Sequence, residues 1–490
     1  MKLYLNARFY SMREEGECFK AILVDDNGVI QETFKTAPKL PNVERIDLDH
    51  CFVYPGFIDT HTHSFEGGLY SLSVDLENAD TLQNLFDLLA EAKPVSGKVF
   101  AFHFDENNIK EKRFPTKQEL DKIFPDIPLI LRRVDGHSCV INSKAAEMID
   151  LKSLPDFNGL LTGRDNGKVS NWFHRNLTNE TILNAYQQAA KIALKTGHTA
   201  IHTMIGDAYS NLKHYKLIKE NMHHFPIEFI LYPQITDVDI ALDIGSPRIG
   251  GCILADGSFG SFTAALLNPY SDKPDSSGIL YRSDEFWLNF ITRAHQKNLQ
   301  VAVHCIGDAA ITQILNCYEK VQQNDPKDLK HIIVHNELTS DEMLNRVSKA
   351  NISTAMQPMF DRLWAGTNGL YVKRLGPERT SRTNRLASIY NRNILLTGGS
   401  DWYITEIDAL KGIDAATRMH NETERLTPYQ AIEIYTKNAA ILSCDENRFG
   451  TIEKGKLANL TCLKEDILES HSIKDIQIDS VIVDGKYYFS

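Results

Sequence analysis

Eight short apolar runs separated by helical patterns, turn-centred hairpins near both ends, and a long excursion after the first run predict an α/β fold. The expected architecture is a (β/α)8 TIM barrel over residues 56–446, with a small composite β-sandwich built from 1–55 and 447–490. A large insert, an extra subdomain at about 66–180, is expected after the first barrel strand.

The N-terminal hairpin lies over 19–34, FKAILVDDNGVIQETF, where two β-rich runs flank Asn27-Gly28. That dipeptide tolerates the positive φ of a tight turn. Its counterpart, SVIVDGKYYF, turns at Asp484-Gly485, and 459–463 adds a short strand. A lone hairpin cannot bury a face, so the two ends are expected to pair. Barrel strands are expected at 57–62, 198–204, 227–232, 250–255, 300–304, 331–335, 352–357 and 394–400. Most are short β-branched or apolar runs, as in strands covered on both faces. An apolar stripe over 182–196 predicts a helix stopped at Gly197. Asp284 and Asp308 are expected to cap helices reaching about 297 and 320. About 135 residues separate the first strand from the second, too many for a structureless loop. Strands at 98–104 and 128–134, with helices near 81–91 and 116–123, fill that gap.

Composition narrows the function. With 53 Lys and Arg against 64 Asp and Glu, the net charge of −11 argues against a nucleic-acid partner. No run of about 18 apolar residues is present, which predicts no membrane span. The opening MKLYLNARFYSMREE lacks an apolar signal core, so a cytoplasmic location is expected. Eight scattered cysteines without a C-x-x-C predict reduced thiols. The expected partner is a small-molecule substrate, and a homodimer stays open.

The chemistry sits at strand ends. In PGFIDTHTHS, His61 and His63 are two apart at the end of an extended run, so both side chains face one way. Two converging imidazoles make a grip for a divalent metal. VAVHCIGD places His304, IIVHNE places His335, and LLTGGSDW places Asp401, each at the C-terminal end of an expected strand. In a barrel those ends open into one site. The pattern predicts a shared metal centre for one or two divalent ions, with zinc best suited to imidazole and carboxylate donors.

The order H-x-H, His, His, Asp resembles the amidohydrolase superfamily. Longer stretches at 115–145, 255–272 and 303–311, with GTIEKGKLANL near the C-terminus, resemble its amidohydrolase-3 branch. That branch includes the YtcJ-like proteins and the N-substituted formamide deformylases. The resemblance implies a metal-dependent hydrolase acting on a carbon–nitrogen bond other than a peptide bond. It implies that His61 and His63 bind one ion. His304 and His335 would bind a second, or position water or substrate at a single ion. Asp401 would take the proton of the attacking water and pass it to the leaving group. A deaminase, a non-hydrolytic isomerase or decarboxylase, and an inactive barrel are the alternatives.

Three positions depart from the branch. Relatives with paired ions often present a lysine on the fourth strand, where IGGCILADG has Cys252, either a thiolate ligand or an inert buried thiol. One tightly bound ion with a weaker second is therefore expected. Tyr403 follows the SDW triplet where proline is usual, and Asn171 and Arg175 stand where Gly and Glu are usual. Within the insert, Arg133 is expected to bind a substrate carboxylate, His137 to stabilise a developing oxyanion, and Asp105 to contact substrate. The alternative is a polar cluster tying the insert down. Asp256 either contacts substrate or caps the Gly257 turn. Trp364 and Tyr371, after the seventh strand, either line a pocket or pack ordinarily.

Overall fold

The computed structural model describes residues 1–134, 138–151, 157–206 and 212–489. They form two compact units, one of 1–63, 190–206 and 219–489, the other of 64–189 and 212–218. No helix among the described residues is long and apolar enough to cross a membrane.

The first unit opens with strands Lys2–Tyr10 (β1), Cys18–Val24 (β2), Ile30–Phe34 (β3), Glu44–Asp47 (β4) and Phe52–Pro55 (β5). The turn between β2 and β3 is set by Asp25, whose Oδ1 accepts from the backbone N–H of Asn27 and Val29 at 2.9 Å each. β1 bulges between Leu5 and Phe9 and pairs in parallel with β4 along its first half and β5 along its second. One strand thereby serves two neighbours. The sixth strand, Phe57–Thr62 (β6), is buried at every position.

The second unit is a sheet of Val74–Asp75 (β7), Val99–Phe104 (β8), Leu129–Arg133 (β9), Ser138–Ile141 (β10) and Leu160–Thr162 (β11), in the order β11-β10-β9-β8-β7. Helix Leu82–Ala90 is capped by Thr81, and Lys117–Ile123 starts with a Thr116/Glu119 capping box. Their apolar faces close on Leu131 and Phe104 from the sheet.

Back in the first unit come His198–Ile205 (β12), Glu228–Pro233 (β13), Arg248–Leu254 (β14), Gln300–Cys305 (β15), Ile332–His335 (β16), Ser353–Met356 (β17) and Leu396–Gly398 (β18). All eight expected strands are present, each within a few residues of its expected place. They form two parallel arrays, β13-β12-β6 and β14-β15-β16-β17-β18. Among the described residues no ladder joins the arrays. At one margin Thr60 Oγ1 donates to Gly398 O at 2.9 Å and Asp401 N donates to His61 O at 2.8 Å. At the other, Gln234 Nε2 donates to Cys252 O at 3.2 Å.

Two expected caps shift by one residue. Ser283, not Asp284, caps helix Asp284–Gln296, and Gly307 precedes helix Asp308–Asn324. Both aspartates lie in the first turn, where their charge suits the helix dipole.

The chain ends with Leu460–Leu463 (β19), Ile478–Val483 (β20) and Lys486–Phe489 (β21). These join β1–β5 in one eight-stranded sheet, β21-β20-β19-β5-β1-β2-β3 with β4 beside β1. One hydrogen-bonded sheet thus joins the two ends of the chain, with β1 bridging β4 and β5. The two hairpin turns abut: a Cβ on Gly28 (φ +81°) would lie 2.3 Å from the Asp484 carbonyl carbon. Only glycine permits that approach.

Candidate metal centre

The ends of β6 and β18 are locked together before any ligand is considered. Asp59, fully enclosed, accepts from His61 N at 3.0 Å and from Ser400 N at 3.0 and 3.1 Å. His63 N donates to Trp402 O at 2.5 Å. Asp401 is held at φ +55° and His335 at φ +68°, a region costly for residues other than glycine. These bonds hold the side chains at the strand ends in fixed directions.

Six side chains converge there. Asp401 Oδ1 is 3.3 Å from His61 Nε2 and 3.2 Å from His63 Nε2. Donor atoms of His61, His63 and Cys252 lie within 4.8 Å of one another. The same holds for Cys252, His304 and His335, and for His61, His335 and Asp401. Cys252 therefore belongs to both histidine pairs.

Surrounding bonds aim these donors. His335 Nδ1 lies 2.7 Å from Gln357 Oε1, an oxygen that only accepts, so Nδ1 carries the proton and Nε2 keeps its lone pair. His304 Nε2 lies 3.2 Å from Gly257 O, which frees Nδ1 toward Cys252 Sγ at 3.9 Å. His61 is fully buried, and neither ring nitrogen has a hydrogen-bond partner. Orphaned nitrogens of that kind are rare in a folded core.

Charge balance points the same way. Burial opposes protonation of His61, but Cys252 and Asp401 outweigh it and push its pKa up to about 9. His63 rises well above its usual value, with burial again opposed by Asp401 and Cys252. Burial opposes ionisation of Cys252, yet His61, His304 and His335 hold it well below the usual thiol range. Asp401 is depressed likewise, by His61 and His63 against burial. Burial, then the neighbouring His304, pulls His335 down. Two buried anions among four imidazoles thus call for compensating positive charge. Imidazole, thiolate and carboxylate donors are what a borderline divalent ion takes.

Other predicted residues serve differently. Asp256 accepts from Ala265 N (2.8 Å), Ile306 N (3.0 Å) and Gly307 N (2.8 Å). It braces the loop after β15, with Oδ1 3.7 Å from His304 Nε2. In the other unit, Arg133 grips Glu106 through Nε (2.8 Å) and Nη2 (3.0 Å), with Asp105 at 3.5 Å. His137 lies outside the described residues.

A cavity of about 300 Å³ opens on His304, His335 and Asp401. Phe259, Phe360, Trp364 and Tyr371 supply aromatic walls. Glu337 also lines it, which the sequence reading missed. Burial pushes Glu337 up to about 8. The available signal was its spacing, two residues beyond His335 in IIVHNE.

Residues 44–489 match the amidohydrolase family model, Amidohydro_3. YtcJ of Bacillus subtilis (strain 168), named as an amidohydrolase, is 27% identical, with 98% of this chain and 98% of that protein covered. N-substituted formamide deformylase of Arthrobacter pascens is 23% identical over 99% of this chain and 97% of its own. Among solved structures, an uncharacterized metal-dependent hydrolase from Pyrococcus furiosus is 26% identical, with a TM-score of 0.84, covering 96% of this chain and all of its own.

Proposed function

The chain belongs to the amidohydrolase family and is a hydrolase, and from that premise we propose that it cleaves a carbon–nitrogen bond, an amide or N-formyl group, in a small molecule. The observation that carries this reading is the interlocked cluster of His61, His63, Cys252, His304, His335 and Asp401. The deformylase name of one relative supports the bond type. The two parallel arrays read best as one closed (β/α)8 barrel whose strand C-termini carry the cluster.

His61, His63 and Cys252, with Asp401 beside them, would hold the tight ion. His304 and His335 would share Cys252 with a weaker second. Zinc suits the donors best. A bound divalent ion lowers the pKa of a water toward neutrality and polarises the scissile carbonyl. Asp401, held as a carboxylate, accepts the proton of the attacking water and returns it to the leaving nitrogen. Gln357 and Asp256 position His335 and His304. The aromatic walls exclude bulk water from the reacting carbonyl. A cavity of about 300 Å³ fits a small substrate.

The Asp401→Asn variant tests this. It should abolish hydrolysis of N-formyl, N-acetyl and cyclic amides while leaving metal content largely intact. A near-wild-type rate would overturn the mechanism. Ammonia release from aminopyrimidines, without amide cleavage, would replace it with a deaminase.

A further inference from the structure

His61 is fully enclosed, and only half of its ring is accounted for. Its Nε2 lies 3.3 Å from Asp401 Oδ1, on the side of the other donors. Its Nδ1 is buried with no hydrogen-bond partner among the described residues. A neutral imidazole that ligates through Nε2 carries its proton on Nδ1, and a ligating histidine ordinarily donates that proton to a fixed acceptor. Gln357 is such an acceptor for His335. On one flank of His61 the backbone of Gly399 is so close that a Cβ there would lie 3.1 Å from that of His61. The other flank is β12.

On that flank β12 pairs with β6, with Ile201 opposite Asp59 and Thr203 opposite Thr62. His202 therefore faces the shifted step at Thr60 and His61. Thr62 Oγ1 donates to His202 O at 2.8 Å, which holds the two strands in that register. His202 alternates with Ala200 and Met204, which pack with Ile58, Tyr232 and Cys252 in one buried cluster. Its ring stacks on Tyr232, with centroids 5.3 Å and planes 20° apart, and the Tyr232 hydroxyl donates to Gln300 Oε1 at 3.0 Å. His202 is 0% exposed, and neither of its nitrogens has a hydrogen-bond partner. Two imidazoles on neighbouring strands thus keep unmet nitrogens, which is rare in a native core. One buried water with a partner on each side satisfies both.

We propose that His202 is the positioning residue for His61: the His61 Nδ1–H donates to an enclosed water, and that water donates to a nitrogen of His202. The link turns His61 Nε2 toward the tight ion, as Gln357 turns His335 toward the second. It needs His202 neutral. Burial among apolar side chains keeps an imidazole in that form, and a cation at the neighbouring cluster reinforces it. The inference rests on the metal-centre reading and adds to it what fixes the ring of His61.

Metal binding tests this without turnover. His202→Phe keeps a ring against Tyr232 and removes both nitrogens, whereas His202→Gln keeps a polar group that can accept from the water. Zinc affinity is read by competition with a chelating dye, the ligand field by the visible bands of the cobalt-loaded protein, and the fold by thermal unfolding without metal. His202→Phe should weaken the tight ion about 10–100-fold and shift the cobalt bands. Its metal-free form should unfold at the wild-type temperature or above, because a buried unmet polar group has been removed. His202→Gln should recover most of the affinity and the wild-type bands. Wild-type affinity and bands in His202→Phe overturn the proposal, and so does a loss that His202→Gln fails to recover. A loss that comes with a lower metal-free unfolding temperature makes His202 a packing residue and overturns it as well. A wild type that takes up neither ion refutes the metal-centre reading itself, and the proposal with it.

Discussion

The short strand β16 has a buried histidine at each end, and the two could hardly be treated more differently. His331, just before the strand, accepts from Val301 N at Nδ1 (3.0 Å) and lies 2.9 Å from His295 Nδ1 through Nε2. His295 in turn reaches Asp325 O at 2.7 Å. Every nitrogen of that pair is used, and burial with His295 drives His331 down to about 3. At the other end His335 faces His61, His304, Cys252 and Asp401 with a nitrogen left over. A buried histidine does not by itself mark a site. Lone pairs turned toward one another, with no bond to satisfy them, do.

The sharpest way to break the comparison is to remove one histidine from each neighbourhood, His61 from the cluster that His335 faces and His331 from the satisfied pair. His61→Ala should strip the tight ion and lower kcat/KM by roughly a thousandfold or more, since a metal supplies several kcal/mol to such a reaction. His331→Ala should keep the ion and instead lose about 2–4 kcal/mol of stability by opening a cavity and orphaning the Val301 N–H. Metal loss in His331→Ala would erase the distinction.

Smaller effects sharpen it. Gln357→Leu removes the bond that orients His335, along with the Nε2 donation to Ala355 O at 3.2 Å, and should weaken the second ion about 10–100-fold, read by competition with a chelating dye. Cys252→Ser, which replaces a shared donor, should cost more than that in the same assay. Protons should compete with the ion. His61 keeps its proton up to about pH 9 and must lose it to ligate, so affinity should rise with pH toward 9 and fall about tenfold for each unit below. A pH-independent affinity would remove His61 from the donor set. The smallest effect lies in the other unit. Arg133→Gln loosens a largely buried ion pair and should cost about 1 kcal/mol with metal content unchanged.

Much of the site was legible because H-x-H, VHC, VHN and SDW sit at the ends of recognisable strands. Strand alternation alone puts His61 and His63 on one side. Cys252 was legible as an anomaly, a thiol where relatives offer lysine, but its place in both histidine pairs depends on how two arrays approach. Asp256 was ambiguous, because whether a carboxylate meets substrate or backbone N–H groups depends on a loop path that no motif encodes. Arg133 was expected to receive a carboxylate from substrate, whereas Glu106, its partner from a neighbouring strand end, supplies one. Glu337 stayed hidden because its side-chain partner, the Tyr371 hydroxyl, lies far along the chain. In the terminal sheet both hairpins were visible in Asn27-Gly28 and Asp484-Gly485, yet the bulge in β1, which pairs with β4 on one side of it and β5 on the other, has no comparable sequence mark.

The central claim is that the cluster at the strand ends is a metal centre and that Cys252 belongs to it. Anomalous diffraction from crystals grown with zinc, recorded across the metal edge, tests it most directly. The account predicts a strong peak among His61, His63, Cys252 and Asp401, and a weaker peak or none between His304 and His335. No peak, a peak that avoids Cys252, or two peaks of equal and full occupancy would contradict it.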